Sequence, residues 1–439
     1  MKNMQAFVVL ALIAATTTRL YAGDTLRLSL QDALRIAKEK NKSIAIAHQE
    51  ESAAWSDWQD ARVARLPQVG VSGSYQRFTR VTLFEEGLSG AHTVGRRPEQ
   101  NSTALGLDAS FTIFSGGRQQ LTIEEQVIKK NIASLNSLDQ TGNISLQVVA
   151  AYLDIIRLTQ QDSLVIEQIR RAETRVRNIE SLFANQRVTR SDVLRAQLNL
   201  SNQQLSREQT ENDLAITISH LLVLLDLPAR SQILPTDRAG GTRPLPSTLT
   251  DMLNNAGETS YAILRSKQLL RLQNNRIQSI KANNYPSLQF YSAYGLNYPN
   301  YLGFPPVDQF YLLGFVGLRV QYNISSLYQN RHKETSARIR QRELTLLQSS
   351  IEDNTNQEID ALYRKYGEAL DRIGVAQESI LQASANYKIV SAKYFNQLAL
   401  LTDLLDADNL YLEARYSLIR SQTDALVFYY RILYVSGNL

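Results

Sequence analysis

The stretch LLTDLLDADNLYLEARYSLIRSQTDALVFYYRILYV, residues 400–435, decides the fold class. Apolar or small residues recur in it at alternating spacings of four and three, which is a repeat of about 3.5 residues. The repeat consists of Leu400, Leu404, Ala407, Tyr411, Ala414, Leu418, Ser421, Ala425, Phe428, Ile432 and Val435. A heptad sustained over this length predicts a long helix with a left-handed coiled-coil seam.

A second stretch, nearer the start of the chain, has the same spacing. It comprises Leu146, Val149, Leu153, Ile156 and, after a change of phase, Ile169, Ala172, Val176, Ile179 and Phe183. Both stretches lie in windows without proline, which run over residues 99–227 and 307–439. Because proline breaks helix interiors, very long helices can form in these windows. We expect helices over residues 119–184 and 191–225, and another over 31–66.

The chain also repeats itself. Residues 29–76 match residues 248–295 at an offset of 219, and later positions match at an offset of 211. Each repeat is expected to contain a helix, a strand, a loop, a second strand, a long helix, a turn and a final helix. The predicted organisation is therefore a first repeat over 23–227, a Pro-rich mid-height linker over 228–247, and a second repeat over 248–439.

Two segments in each repeat alternate apolar and polar side chains, as strands do. The rows are Val69, Val71, Gly73, Tyr75; Leu105, Leu107, Ala109, Phe111, Ile113; Leu288, Phe290, Ser292, Tyr294, Leu296; and Val316, Leu318, Val320, Tyr322. Strands of this kind suit the wall of an outer-membrane barrel, although a soluble half-buried sheet fits the alternation equally well. Aromatic residues near the strand ends favour the membrane wall, with the loops 79–103 and 297–310 facing the cell exterior.

Four strands per chain are too few to close a barrel. An open sheet edge in lipid leaves backbone N–H and C=O groups without partners, so the subunit is expected to oligomerise. A closed ring of subunits would form one barrel continuous with a helical tube. The predicted fold class is mainly α with a membrane β part, in which duplicated long-helix coiled-coil hairpins carry four strands per subunit.

The start of the chain predicts a signal peptide over residues 1–22. Lys2 is followed by an apolar run over 6–15 and by a small residue, Ala22, at the expected cleavage point. The run is about ten residues long, which is too short to span a bilayer. Loss of this segment lowers the net charge from +5 to +3, and no cluster of Lys and Arg indicates a nucleic-acid partner.

No pattern in the sequence indicates an enzyme, a cofactor site or a metal site. Cysteine is absent, which excludes disulfides and thiolate metal sites. The four histidines are scattered, and none has a partner at ligand spacing. No nucleophile–base set, phosphate loop or zinc motif is present. We therefore expect no catalytic, cofactor-binding or metal-binding residues.

Five segments, taken in order, resemble the TolC-like outer membrane factor family. They are LSLQDALRIAKEKN (28–41), RLPQVGVSGSY (65–75), FTIFSGGR (111–118), NQRVTRSDVLRAQ (185–197) and NQLALLTDLLDAD (396–408). The resemblance covers essentially the whole mature chain. It implies an outer-membrane location with most of the chain in the periplasm, a homotrimer with a shared twelve-strand barrel, and an α-helical periplasmic tunnel. It also implies a periplasmic adaptor protein and an inner-membrane transporter as partners.

The resemblance further implies a periplasmic aperture. It assigns Asp403 and Asp406 to the aperture, places Tyr394 near the constriction, and makes Asp192 the first-repeat counterpart. In a trimer each acid would occur three times around one axis, and the resulting carboxylate rings would favour cations. The same acids have an alternative role, because a carboxylate in the first turn of a helix caps free backbone N–H groups.

The sequence departs from the family's pattern at four places. NISSLYQNR (323–331) stands where the first repeat has FSGGR, and Gln186 and Gln397 stand where family members often have Gly. Ala399 stands where a gate-linking arginine occurs, for which Arg187 or Arg190 could substitute.

The implied function is that of a passive exit duct in a tripartite efflux or type I secretion system. The alternative is a secreted periplasmic coiled-coil adaptor or scaffold without a membrane barrel.

Overall fold

The structure is a computed structural model, and it describes residues 25–79, 82–84, 87, 89, 91–93, 100–237, 245, 247–300, 302 and 307–439. The predicted signal peptide lies outside the described residues, as do parts of the two strand loops and part of the Pro-rich linker.

Eight helices and eight strands occur within the described residues. The helices are α1 (Leu30–Lys40), α2 (Lys42–Val63), α3 (Arg118–Ala184), α4 (Arg190–Leu224), α5 (Leu249–Thr259), α6 (Tyr261–Ala282), α7 (Ser326–Phe395) and α8 (Leu401–Val435). The strands are β1 (Thr25–Leu28), β2 (Gln68–Arg77), β3 (Thr82–Phe84), β4 (Ala91–Thr93), β5 (Asn101–Phe114), β6 (Gln232–Pro235), β7 (Ser287–Tyr298) and β8 (Tyr311–Gln321). The predicted class, mainly α with four longer strands, is confirmed.

Four of the strands form one antiparallel sheet in the order β2-β5-β7-β8. Val71 lies opposite Leu107, and Leu107 lies opposite Tyr294. Further along the sheet, Phe290 lies opposite Leu318. Since directly opposed residues point to the same side of a sheet, the apolar rows predicted on separate strands lie on one common face.

This apolar face is exposed to the surroundings of the chain. Val71, Tyr294 and Val316 have 75%, 58% and 72% of their surface accessible. A contiguous exposed apolar surface of this kind marks a membrane or protein contact rather than a water-facing sheet. Among the described strands, β2 and β8 each have a neighbour on one side only, so each leaves a row of backbone groups unpaired.

The coiled-coil seam predicted for the last helix is largely confirmed. Leu404, Ala407, Ala414, Ser421, Ala425 and Ile432 of α8 are all buried. Leu400 is the exception, with 69% of its surface exposed, because it precedes the helix as its N-cap residue. The small seam residues allow the close helix packing that a coiled coil requires.

The prediction of one helix over residues 31–66 is wrong in one respect, because the helix is interrupted at Asn41. The Asn41 carboxamide oxygen accepts hydrogen bonds from the backbone N–H groups of Ser43, at 2.8 Å, and Ile44, at 3.2 Å. Its NH₂ group donates to the carbonyl of Leu224 at 2.8 Å. Asparagine thus starts a new helix by capping it. Ser260, which lies 219 residues later, separates α5 from α6 at the equivalent point.

The chain folds as two compact units. The helical unit consists of the described residues up to His48, Asn136–Leu264 and Ile351–Leu439, and the sheet unit consists of Gln49–Leu135 and Arg265–Ser350. No helix among the described residues is long and apolar enough to cross a membrane.

A small parallel pair of strands, β1 and β6, lies in the core of the helical unit. Neither strand was predicted, because each is only four residues long. The buried Tyr152 hydroxyl lies 2.8 Å from the carbonyl oxygen of Leu28 and 2.9 Å from the carboxylate of Asp237. Burial and the nearby carboxylate raise the pKa of Tyr152 to about 12. The Pro-rich linker therefore includes a strand that is tied to the start of the first repeat.

Candidate functional site at the helix turns

The candidate site lies at two turns of the helical unit. The first tip, residues 185–189, joins α3 to α4, and the second tip, residues 396–400, joins α7 to α8. Ile179 and Val193 flank the first tip, Leu401 and Leu404 flank the second, and these four side chains share one buried apolar cluster. The two tips therefore pack against each other.

Both tips close their long helix with the same backbone motif. At the first tip the N–H of Gln186 donates to the carbonyl of Phe183, and the N–H of Arg187 donates to that of Leu182, both at 2.9 Å. Gln186 has a φ of 57° and Gln397 of the second tip a φ of 62°. A left-handed residue in this position is characteristic of a Schellman turn, in which glycine is the commonest choice. Both glutamines thus adopt the conformation that glycine would adopt more easily.

Asp192 caps α4. Its carboxylate accepts hydrogen bonds from the backbone N–H of Thr189 at 3.0 Å and from the Thr189 hydroxyl at 2.7 Å, and its own N–H donates to that hydroxyl at 3.2 Å. This reciprocal arrangement is a capping box. The capping role proposed as the alternative is therefore present at this position.

Asp403 and Asp406 differ in their surroundings although both are exposed. The Asp403 carboxylate accepts the backbone N–H of Leu400 at 2.9 Å, so it caps the start of α8. Asp406 makes no hydrogen bond or ion pair with any described residue. Capping accounts for Asp403, but it does not account for Asp406.

Tyr394 lies inside the cluster between the tips, with 6% of its surface exposed. Its hydroxyl has no hydrogen-bond partner among the described residues. Burial raises the pKa of Tyr394, and the nearby Asp192 carboxylate raises it further while Arg175 opposes the shift. The structure thus brings Tyr394 and Asp192, which belong to different repeats, close together.

The two tip arginines make no ion pair with the tip acids within one chain. Arg190 lies over the ring of Phe183, with its guanidinium carbon 6.0 Å from the ring centroid. The described residues provide no ion-pair partner for Arg187. The substitution of Arg187 or Arg190 for the missing arginine at position 399 therefore stays a prediction.

A buried charge cluster close to the tips was not predicted. Asp408 of α8 has 1% of its side chain exposed, and Arg175 of α3 has 5%. The Asp408 carboxylate accepts from Arg175 at 2.5 Å and from Arg171 at 3.2 Å. Arg175 also contacts the side-chain oxygen of Asn199 of α4 at 3.4 Å. One carboxylate thus links helices of both repeats.

Further charged and aromatic side chains continue this cluster towards solvent. Glu167 of α3 pairs with Arg171 at 2.8 Å and with Arg415 of α8 at 2.7 Å. The rings of Tyr387 and Tyr411 stack with their centroids 6.2 Å apart, and the Arg171 guanidinium lies about 6 Å from both. Such contacts orient the arginine as well as neutralise it.

Sequence spacing identifies the α3 side of this cluster but not its partner on α8. Glu167, Arg171 and Arg175 occur four residues apart, which places them on one helix face. Asp408, the partner of the two arginines, lies 233 residues away from Arg175 and follows the seam residue Ala407. Only the fold brings it to that face. Within the part of the chain that the structure describes, no group of His, Asp and Glu is arranged to hold a metal ion.

Comparisons with known proteins agree with this architecture. Residues 33–225 match the family described as "Outer membrane efflux protein". No curated protein matches the chain in sequence.

Solved outer-membrane channels share the fold at low sequence identity. The chain is similar to VceC from Vibrio cholerae, with a TM-score of 0.77 and 17% identity over 93% of this chain and 96% of that one. It is similar to the Campylobacter jejuni CmeC channel, with a TM-score of 0.78 and 16% identity over 93% and 85%. The chain is also similar to the Neisseria gonorrhoeae MtrE channel, with a TM-score of 0.71 and 18% identity over 93% of this chain and 89% of that one. The predicted resemblance to outer membrane factors is confirmed.

Removing the Asp408 carboxylate should destabilise the protein strongly. Asp408→Ala leaves Arg175 buried without a counter-ion, which is expected to cost about 3–5 kcal/mol of unfolding free energy. Thermal and chemical unfolding of the purified protein measure the loss. The double variant Asp408→Leu with Arg175→Met removes both charges and should recover much of it.

The matched control is Glu368→Ala. This carboxylate pairs with Lys365 and Arg372 at the surface, where solvent screens the charges, so little stability should be lost. Equal effects of Asp408→Ala and Glu368→Ala would contradict a buried link between the repeats.

Proposed function

We propose that this chain is one subunit of an outer-membrane channel-tunnel, which serves as the passive exit duct of a tripartite efflux or type I secretion system. The observation that carries the proposal is the four-stranded sheet, with its exposed apolar face and two open edges. That sheet occurs in a chain whose residues 33–225 match outer membrane efflux proteins.

The sheet acts as one part of a membrane wall. Its exposed valines, leucines and aromatics suit contact with lipid, whereas the opposite face of β2 and β5 carries small and polar residues such as Gly70, Ser72, Gly106 and Asp108. Pairing β2 of one copy with β8 of the next satisfies the open edges. Three copies give a closed wall of twelve strands, so the assembly is a homotrimer in the outer membrane.

The long helices form the periplasmic tunnel. The 67 residues of α3 and the 70 of α7 correspond to helices of about 100 Å at 1.5 Å per residue. A water-filled duct moves its cargo without binding it in a dedicated pocket and without covalent chemistry, so the protein is not an enzyme. Its partners are a periplasmic adaptor protein and an inner-membrane transporter that supplies the energy.

The tips form the periplasmic gate in this proposal. In a trimer, Asp403 and Asp406 each occur three times around one axis, and Asp192 and Tyr394 support them from the packed tips. Asp406 caps no helix and has no hydrogen-bond or ion-pair partner among the described residues, which favours a role beyond helix capping. Carboxylate rings of this kind attract cations to the mouth of the duct.

Cell fractionation separates the duct from the alternative coiled-coil adaptor. The duct predicts that the protein is recovered in the outer-membrane fraction, with a gel mobility that changes on heating because a closed barrel resists unfolding. Recovery in the soluble periplasmic fraction, with the same mobility before and after heating, would support the adaptor instead.

The gate proposal is tested in planar bilayers. Asp403→Asn with Asp406→Asn should raise the concentration of a trivalent cation needed to block single channels by about tenfold, because two rings of three charges are lost. Asparagine preserves the side-chain oxygen that accepts the Leu400 N–H, so trimer yield should not change.

Asp32→Asn with Asp251→Asn provides the matched control. These two acids cap α1 and α5 through Ser29 and Thr248, and the change in charge is the same. The control should be blocked at the same trivalent-cation concentration as the unmodified channel. If the tip variant were blocked like the unmodified channel as well, Asp403 would be a helix cap only and Asp406 would have no part in a gate.

A further inference from the structure

The face of the sheet opposite its apolar face, here called the inner face, is not uniformly polar. On β7 and β8 it carries Tyr291, Leu313 and Phe315 among its residues. Leu313 and Phe315 have 44% and 50% of their surface exposed. In the proposed wall the inner face lines a water-filled duct, where polar side chains are expected. Exposed apolar side chains in such a place indicate a contact surface for a ligand.

Tyr291 is the centre of this surface. Its ring lies over Gly317 of β8, where an added Cβ atom would come within 2.9 Å of Tyr291 Cζ. The Phe315 ring meets the Tyr291 ring edge-on, with centroids 5.8 Å apart and an interplanar angle of 67°. The Arg319 guanidinium carbon lies 4.6 Å from the Tyr291 ring centroid. Glycine at position 317 thus lets one ring contact both Phe315 and Arg319, and these three side chains form the inner-face patch.

The positive charge of the patch is not neutralised by the chain. Arg319 is exposed and forms no hydrogen bond or ion pair with any described residue. The four described strands of the sheet place one other charged side chain on the inner face, that of Asp108. Asp108 is aligned with Phe315 across β7, so it is displaced from Arg319 by four residues along the strands, or about 13 Å. Tyr291 orients the guanidinium, and its charge stays available to a ligand.

The apolar face carries a similar pair of residues without the charge. There Tyr294 lies opposite Gly314, and an added Cβ atom on Gly314 would come within 2.5 Å of the Tyr294 ring. The neighbours of Gly314 on that face are Leu312 and Val316, which are aliphatic. Packing of a tyrosine over a glycine therefore stabilises the sheet on both faces. This packing does not explain the exposed phenyl ring and the unpaired cation on the inner face.

We propose that the inner-face patch is a contact site for cargo molecules that carry an aromatic ring and an oxyanion group. The Arg319 guanidinium donates two N–H groups to a carboxylate, sulfonate or phosphate. The exposed Phe315 ring stacks on the aromatic body of the cargo. This class of cargo includes zwitterions, whose net charge does not oppose passage of the acids at the tips.

The inference rests on the proposed function, to which it adds a preference for one class of cargo. In a homotrimer the patch occurs three times around the lumen. Contact at the patch is brief, because the site lies open to the water of the duct and is not enclosed.

Fluorine NMR of the protein purified in mild detergent tests the role of the charge. A fluorinated naphthalenesulfonate, whose signal broadens on binding, is titrated onto the unmodified protein, Arg319→Gln and Arg342→Gln, with detergent alone as the background. Arg319→Gln should bind about fivefold more weakly, because a charge-assisted contact with the sulfonate is lost at a solvent-accessible site. Arg342, which is exposed on α7 in the sheet unit and has no described ion-pair partner, should be replaceable without effect.

The role of the aromatic ring is tested with Phe315→Leu. This variant should bind the naphthalenesulfonate about threefold more weakly, because stacking is lost, and it should bind a fluorinated cyclohexanesulfonate as the unmodified protein does. The matched control is Phe290→Leu, the same change on the apolar face, which should leave binding unchanged. Equal weakening by Phe290→Leu and Phe315→Leu would contradict a site on the inner face.

The absence of cysteine from the sequence allows the two faces to be distinguished in the membrane. Leu313→Cys introduces a thiol beside the patch, and Val316→Cys introduces one on the apolar face. A membrane-impermeant maleimide should label Leu313→Cys and spare Val316→Cys, which lipid protects. Millimolar naphthalenesulfonate should slow the labelling of Leu313→Cys, because the bound ligand covers the thiol.

Equal binding by the unmodified protein, Arg319→Gln and the double variant Arg319→Gln with Phe315→Leu would overturn the patch as a ligand site. Both side chains are exposed, so their replacement should leave the fold intact, and heat-modifiable gel mobility verifies this. Preferential labelling of Val316→Cys would overturn the position of the patch in the lumen. These failures are distinct from failure of the duct, which is recognised by the absence of the chain from the outer-membrane fraction.

Discussion

An unpaired strand edge is the constraint on which the rest of this molecule depends. The sheet β2-β5-β7-β8 ends in two open edges and exposes an apolar face. In lipid, backbone N–H and C=O groups without partners cost several kcal/mol each, so the sheet is stable there only as part of a closed wall. The need for partner copies therefore follows from the strand count, and the proposed threefold assembly rests on the resemblance to a family with twelve-strand barrels.

The duplication of the chain explains how one subunit can serve both the wall and the tunnel. Each repeat supplies one strand hairpin and one pair of long helices, and equivalent residues start and interrupt the helices in both repeats, as Asn41 and Ser260 do. The repeats are not identical, however. The Arg175–Asp408 ion pair links one repeat to the other, and NISSLYQNR (323–331) stands where the first repeat has the glycine turn FSGGR.

Much of this architecture could be predicted from the sequence, because it depends on periodic patterns. The heptads gave the long helices, and the alternating rows gave the four strands and their common face. Features that depend on distant partners could not be predicted. Strands β1 and β6 are each four residues long, and their paired residues lie 207 positions apart in the sequence. No periodic pattern in the sequence connects Asp408 with its buried partner Arg175. At the tips, the residues were identified through resemblance, and the structure separates the caps Asp192 and Asp403 from the unpaired Asp406.

The most direct test of the account is the mass of the protein after extraction from the membrane in mild detergent. Light scattering coupled to size exclusion gives the protein mass independently of bound detergent. A closed wall of twelve strands requires a stable species with three times the mass of the mature chain, because only closed edges are compatible with lipid. A monomer or dimer as the largest stable species would contradict it, since the sheet would then keep the open edges that a membrane wall cannot have.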